Sequence, residues 1–318
     1  MHAEQRWWWP VALASAVKDQ PLAVRLLDTP VVLWRKSTGE VAALADRCPH
    51  RGAQLSLGRL VQDELECAYH GWRFTNQGAC TLIPAQPGFE PKDAHQACRY
   101  AVQEAHGLVW VCLGKPEQAL PSLAHLPTRR LVYGPFDVAT SAPRAVENFL
   151  DTSHFAFVHQ GWLGDAAHPE VPPYDVTHTP DGRPVIEQYK AWQPRATAAA
   201  SGGDWVTYRY EVLNPFSALL TKQADAGGPQ DSYTIWACPI TPESCRLWFA
   251  QYTTDTVSSD QSLSDFQVEI FSQDQPVLES QQPKRLPLSG GEAMSAADRL
   301  SAAYRRYLQA SSITFGVC

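Results

Sequence analysis

Two short cysteine and histidine pairs, Cys48-Pro49-His50 and Cys67-Ala68-Tyr69-His70, constrain this 318-residue chain more than any other feature. Sixteen residues separate the pairs, and each offers one thiol and one imidazole. A fold that uses them has to bring two loops to one point. Two metal chemistries accept that donor set: a tetrahedral Cys2His2 zinc site, and a [2Fe–2S] cluster in which two thiolates hold one iron and two imidazoles the other. Zinc fingers usually group cysteine with cysteine and histidine with histidine. Here each loop supplies one of each, which suits two irons with different ligand sets. Two neutral imidazoles in place of thiolates also reduce the negative charge of the cluster and raise its reduction potential.

A second constellation lies in Glu147-Asn148-Phe149-Leu150-Asp151-Thr152-Ser153-His154-Phe155-Ala156-Phe157-Val158-His159. The stretch from Val146 to His159 lacks Gly and Pro and is followed by Gly161, so it is expected to be one helix with a C-terminal stop. Asp151 and His154, three apart, would then share a face. A lone His among Phe149, Phe155 and Phe157 reads as core. Two histidines with Asp151 and Asn148 beside them are buried polar groups that need partners. Iron that binds O2 needs neutral imidazoles, one carboxylate and open positions; this segment offers the imidazoles, and the carboxylate ligand has to come from further along the chain.

Around these sites the chain reads as mixed α+β. Leu22–Leu26 and Val31–Trp34 look like strands separated by Asp28-Thr29-Pro30, with Ser37-Thr38-Gly39 as the next turn. Gly107–Leu113 reads as a buried strand closed by Gly114-Lys115-Pro116, and Pro121 and Pro127 mark a connector. The domain boundary is therefore expected near residue 116. Later strand-like runs cover 205–210 and 247–252, and Ala196–Gly203 reads as a mobile loop. Ser295-Ala296-Ala297-Asp298 fits a capping box before a helix that buries Leu300, Tyr304, Tyr307 and Leu308.

Composition excludes several functions. Hydrophobic residues make up 44% and charged residues 19% of the chain, which indicates a globular protein. The net charge is −7 with no basic run, so the electrostatic footprint of nucleic-acid binding is missing. No stretch approaches the roughly 20 apolar residues of a membrane-spanning helix. Trp7-Trp8-Trp9-Pro10 running to Ala14-Ser15-Ala16 imitates a cleavable leader, but Glu4 offsets Arg6 and the triple Trp suits a buried edge. Eight cysteines at unequal spacings suggest metal ligands and reduced thiols, hence a cytoplasmic enzyme. Cys80, Cys98, Cys112, Cys238, Cys245 and Cys318 are expected to be ordinary thiols. No glycine-rich nucleotide motif is present, so NAD(P)H and flavin belong to a separate protein.

Cys48-Pro49-His50-Arg51-Gly52 and Cys67-Ala68-Tyr69-His70-Gly71-Trp72 resemble the paired loops of the Rieske domain, over roughly residues 1–115. Asn148-x-x-Asp151-x-x-His154-x4-His159 resembles the iron motif of Rieske non-haem iron oxygenases, and Phe271–Gln281 resembles the distal carboxylate segment of that family. The resemblance implies that Cys48 and Cys67 bind the inner iron of a [2Fe–2S] cluster and that His50 and His70 bind the outer iron through Nδ1. Gly52 and Gly71 would let backbone amides approach the sulfides, and Tyr69 would add a hydrogen bond. His154, His159 and Asp274 would hold one mononuclear Fe(II), with Asp265, Glu269 and Glu279 as rivals to Asp274. Asp151, with Asn148 nearby, is expected at the catalytic centre, where Asp151 bridges a ligand histidine to His70 of an adjacent subunit.

The fold implied is an antiparallel-β Rieske domain, 1–115, followed by a helix-grip (START-like) catalytic domain, 116–318, assembled as a homotrimer. The activity implied is that of a terminal oxygenase, taking electrons from an NAD(P)H-dependent reductase, with or without a ferredoxin. It would use O2 to hydroxylate or demethylate a small aromatic or heteroaromatic compound. The match is greatest with the aromatic-demethylating branch, methylxanthine N-demethylases in particular, and weakest between about 162 and 250, where the substrate pocket should lie. A ring-hydroxylating dioxygenase acting on an aromatic acid and a Rieske-type electron carrier are the alternatives.

Overall fold

The computed structural model describes residues 2–195, 202–227 and 229–318, in two compact units, Met1–Leu120 and Pro121–Cys318. Residues 196–201 of the glycine- and alanine-rich stretch expected to be a mobile loop lie outside the described residues.

The first unit is built from ten short strands: β1 (Trp9–Leu13), β2 (Leu22–Leu26), β3 (Thr29–Arg35), β4 (Val41–Ala45), β5 (Arg59–Val61), β6 (Glu64–Glu66), β7 (Arg73–Phe74), β8 (Cys80–Leu82), β9 (Ala101–Ala105) and β10 (Leu108–Cys112). They form three antiparallel sheets, ordered β1-β10-β9, β2-β3-β4 and β5-β6-β7-β8. Two-residue turns with both residues left-handed join three of the hairpins: Leu27-Asp28 (φ 50° and 59°), Gln62-Asp63 (53° and 67°) and His106-Gly107 (56° and 84°). Such turns match the right-handed twist of the strands they connect. The first lies one residue earlier than the sequence suggested. Thr29 and Pro30 are already in the ladder, opposite Leu26 and Arg25. One apolar cluster gathers Trp34, Leu44, Leu65 and Phe74 with Trp72 and both Cys48 and Cys67, so the two thiols belong to the core of this unit.

The second unit contains β11 (Arg129–Val138), α1 (Ala142–Leu150), α2 (Phe155–Val158), β12 (Thr177–His178), β13 (Pro184–Gln193), β14 (Asp204–Asn214), β15 (Ser217–Ala224), β16 (Asp231–Thr241), β17 (Ser244–Thr253), α3 (Asp260–Ser280) and α4 (Arg299–Ala310). Its strands form one antiparallel sheet, β11-β17-β16-β15-β14-β13-β12. Six strands follow one another as neighbours, and β11 closes the order by pairing with the last. In β14 the period of two is plain: Val206, Tyr208, Tyr210 and Val212 are buried and the residues between them are only partly covered. Helix α1 packs on β15, β16 and β17, α3 on β11, and α4 on β13. The capping box of Ser295 and Asp298 precedes α4, whose Leu300, Tyr304, Tyr307 and Leu308 are all buried.

The expected single helix from Val146 to His159 is two helices. Helix α1 stops at Leu150, Asp151 is extended (φ −73°, ψ 131°), and α2 begins at Phe155. The cause is local: Asp151 Oδ1 accepts from the Ser153 amide at 2.8 Å and from the Ser153 hydroxyl at 2.6 Å. This side-chain turn competes with the helical hydrogen bonds. Gly161 (φ 79°) does lie in the left-handed region expected of a stop. Among the described residues no helix is long and apolar enough to cross a membrane.

Candidate metal centres

The two loops of the first unit are copies of one backbone design. The Gly52 amide donates to the Cys48 carbonyl, and the Gly71 amide to the Cys67 carbonyl, both at 2.9 Å. The Cys48 amide donates to Ala53 O at 2.7 Å and the Cys67 amide to Trp72 O at 2.8 Å. Both glycines are left-handed, φ 74° and 70°, a region that costs an L side chain roughly 1–2 kcal/mol. The bonds curl each loop around its cysteine, and both thiols are buried, each 2% exposed. The histidines meet above them, with ring centroids 4.5 Å apart. His50 stacks on Trp72 at 4.6 Å with the planes only 3° apart. His70 and Tyr69 are exposed.

Two observations test whether this cradle fits a cluster. His50 Nδ1 is buried with no hydrogen-bond partner among the described residues, the state of a nitrogen placed to ligate. Burial pushes the Cys48 thiol up to about 11, with the neighbouring Cys67 adding to the shift against the pull of the His50 and Arg51 amides. Two adjacent buried thiols ionise together only if a cation takes up their charge. The donor set fits a [2Fe–2S] cluster with two thiolates and two imidazoles. Among the described residues, Cys80, Cys98, Cys112, Cys238, Cys245 and Cys318 are in no disulfide.

In the second unit, His154 Nε2 and His159 Nε2 lie 3.2 Å apart, and Asp274 Oδ1 is 3.5 Å from the first and 3.3 Å from the second. Ligands about 2.1 Å from one metal lie roughly 3.0 Å apart at octahedral angles and 3.4 Å apart at tetrahedral ones. The triangle therefore fits a single divalent ion held on one face. Asp274 comes from the middle of α3 and is buried. The rivals lie elsewhere: Asp265 and Glu269 are exposed, and Glu279 accepts from the Ala139 amide and from Gln275.

Side chains around the triangle fix its tautomers. His159 Nδ1 is 2.8 Å from Gln273 Oε1, and Gln273 Nε2 donates to Glu269 Oε1 at 3.0 Å. This orients the amide, so Nδ1 carries the proton and Nε2 presents its lone pair. The sequence reading missed Gln273, whose only signal is its position beside Asp274. Asp151 Oδ2 faces His154 Nδ1 at 3.4 Å, and Asn148 Nδ2 donates to Asp274 Oδ1 at 3.4 Å. Burial opposes the Asp151 charge, yet its bonds to His154 and Ser153 hold its carboxyl below the ordinary value. Burial likewise opposes a charged His154, but Asp151 and Asp274 draw its pKa upward. A site that favours positive charge between these groups suits a metal ion.

Beneath the site, Arg305 of α4 grips Glu147 of α1 through two bonds of 2.6 and 2.8 Å and reaches Glu292 at 2.6 Å. Arg144 bonds the other oxygen of Glu292 at 2.5 Å. This buried network anchors the helix that delivers Asn148 and Asp151. On the other side, the three candidate ligand residues open into a cavity that reaches solvent. Phe149, Phe155, Phe249, Phe266 and Phe271 contribute to its walls, as do Tyr208, Tyr233 and Lys222. Lys222, only 5% exposed, is a second residue the sequence reading missed. Burial pulls its pKa down while Asp231 works against that shift.

Residues 7–100 match the Rieske [2Fe-2S] domain model, and residues 138–312 match that of the vanillate O-demethylase oxygenase C-terminal domain. Methylxanthine N1-demethylase NdmA of Pseudomonas putida is 32% identical over 96% of this chain and 88% of its own. Methylxanthine N3-demethylase NdmB of the same organism is 33% identical over 98% and 90%. The solved structure of NdmA with caffeine superposes with a TM-score of 0.83 at 29% identity, covering 96% of this chain and 90% of that one. A structure of dicamba monooxygenase, at 23% identity and a TM-score of 0.81 over 97% of both chains, shares the fold.

Proposed function

The chain belongs to the Rieske non-haem iron oxygenases, and from that premise we propose that it is the terminal oxygenase of a multicomponent monooxygenase that hydroxylates or demethylates a small aromatic or heteroaromatic compound. It is an oxidoreductase carrying one [2Fe–2S] cluster and one mononuclear iron. When bound, the cluster supplies electrons singly and the iron activates O2 for insertion into a C–H bond. The observation that carries the reading is that the triangle of His154, His159 and Asp274 opens directly into an aromatic-walled cavity. A Rieske electron carrier has no use for that second site.

The chain's own residues then have distinct tasks. Cys48, Cys67, His50 and His70 hold the cluster; His154, His159 and Asp274 hold the iron. Gln273 keeps the Nδ1 proton of His159 in place, and the Asp151 carboxylate faces Nδ1 of His154, which leaves both Nε2 atoms available. Asn148 steadies Asp274 through its amide. The phenylalanine walls stack a planar ring and exclude water. Exposed His70 is the contact for Asp151 of an adjacent subunit, which makes Asp151 the bridge between centres of different chains in a homotrimer. An NAD(P)H-dependent reductase, with or without a ferredoxin, is the electron source, and the cytoplasm, where thiols stay reduced, is the location. The relatives named for methylxanthine N-demethylation, with the matched domain named for vanillate O-demethylase, make an N-methyl or O-methyl group the first substrate class to try.

The test is a reconstituted assay with a surrogate reductase and O2, screening methylated purines, methoxybenzoates and related heteroaromatics. Formaldehyde or a hydroxylated ring, formed in proportion to reductant consumed, is expected. Reduction and reoxidation of the cluster with no product from any class would contradict the reading.

A further inference from the structure

We propose that Glu269, exposed on α3 and outside the ligand triangle, is a positioning residue for the mononuclear iron: through the Gln273 amide it sets which nitrogen of His159 carries the proton. The inference rests on the iron site proposed above and on nothing about its substrate. Gln273 follows Glu269 by four residues, so one helical turn brings the two side chains together, and Gln273 Nε2 donates to Glu269 Oε1 at 3.0 Å. At its other end Gln273 Oε1 stands 2.8 Å from His159 Nδ1. His159 is only 2% exposed, so a single amide joins a solvent-facing carboxylate to a buried ligand imidazole.

An amide has nearly the same shape in either direction, and the groups at its two ends decide between them. His159 cannot decide alone, because its Nδ1 donates in one tautomer and accepts in the other. Glu269 can: an ionised carboxylate only accepts, which draws Nε2 of Gln273 toward it and leaves Oε1 for His159. Nδ1 must then donate. The lone pair falls on His159 Nε2, the atom 3.2 Å from His154 Nε2 and 3.3 Å from Asp274 Oδ1. The reversed amide would set Oε1 against the carboxylate and move the imidazole proton onto the ligating nitrogen. His154 faces a carboxylate directly, with Asp151 Oδ2 3.4 Å from its Nδ1, whereas His159 reaches one through an amide. Both ligand imidazoles thereby obtain the support that fixes metal-binding histidines. The competing reading is an ordinary surface pair at helical spacing, which contributes little by itself. It gives Glu269 no influence on iron.

The experiment measures how fast iron leaves the anaerobic holoenzyme for a ferrous chelator, with the visible absorption of the cluster as internal control. Glu269→Lys replaces an acceptor by a donor, favours the reversed amide and should speed iron loss about 10-fold. Glu269→Ala leaves the amide undirected and should speed it about 3-fold. Glu269→Gln keeps an acceptor oxygen and should stay close to the unmodified enzyme. The decisive variant combines Glu269→Lys with Gln273→Glu: a carboxylate at position 273 accepts from His159 whatever stands at 269, so iron retention should return. Asp265→Lys separates this relay from bulk charge, since Asp265 lies on the same helix and its carboxylate meets Gln261 instead; it should leave iron retention unchanged. Normal retention in Glu269→Lys, a double variant no better than Glu269→Lys alone, or equal loss in Asp265→Lys overturns the proposal. Asp274→Ala distinguishes the two levels. Iron held as firmly in Asp274→Ala as in the unmodified enzyme sinks the iron site and the relay with it; iron that depends on Asp274 and ignores Glu269 sinks the relay alone.

Discussion

The two metal centres are built by opposite methods. In the first unit the candidate ligands come from two loops whose curvature is set by the backbone, with the same pair of hydrogen bonds and a left-handed glycine in each. In the second unit the ligands come from a broken helix and from a segment 115 residues beyond His159, and side chains such as Gln273 and Asp151 orient them. A site made of backbone carries its design in contiguous sequence. One made of side chains does so only after the chain has folded.

This contrast can be broken by substitution. Asp274→Ala removes a ligand and should lower turnover by more than about 100-fold, beyond the 10- to 100-fold typical of outer partners. The visible absorption of the cluster should persist; turnover within a few-fold of normal would exclude Asp274 from the iron site. Asp151→Asn should leave both metals loaded and slow single-turnover electron transfer by about 10- to 100-fold, measured by stopped-flow reoxidation of the cluster. Unchanged transfer would reject the bridge. Gln273→Leu withdraws the acceptor from His159 and should weaken iron retention about 10-fold, read as iron lost to a chelator while sulfide content holds constant.

The smallest effects belong to the backbone-built site. Gly52→Ala forces a side chain to φ 74° and should cost about 1–2 kcal/mol of stability. Gly71→Ala should cost more, since the new methyl would lie 3.0 Å from Pro84 Cγ. Thermal unfolding of the first unit checks both. Equal loss of mononuclear iron in these variants would show that the two centres are not built independently.

Legibility in the sequence followed the same division. The paired loops stood out from residue types and spacing together, because each loop is complete within six residues. The pattern around Asp151, His154 and His159 stood out too, though with the wrong local structure. Helical spacing hid the turn that Asp151 makes with Ser153, which ends α1 and still leaves Asp151 facing His154. Gln273 and Lys222 were not legible. A glutamine on a helix and a lysine in a strand look like solvated residues until tertiary packing shows what lies opposite them. Lys222 did leave a trace, sharing strand parity with Leu220, but only the paired sheet shows that this parity points into the cavity.

The central claim is that one polypeptide holds two iron centres of different kinds, and metal and sulfide analysis of anaerobically purified protein tests it most directly. The account predicts about three irons and two acid-labile sulfides per chain, with one iron lost selectively in Asp274→Ala. Zinc without sulfide, or two irons with two sulfides and no change on that substitution, would contradict it.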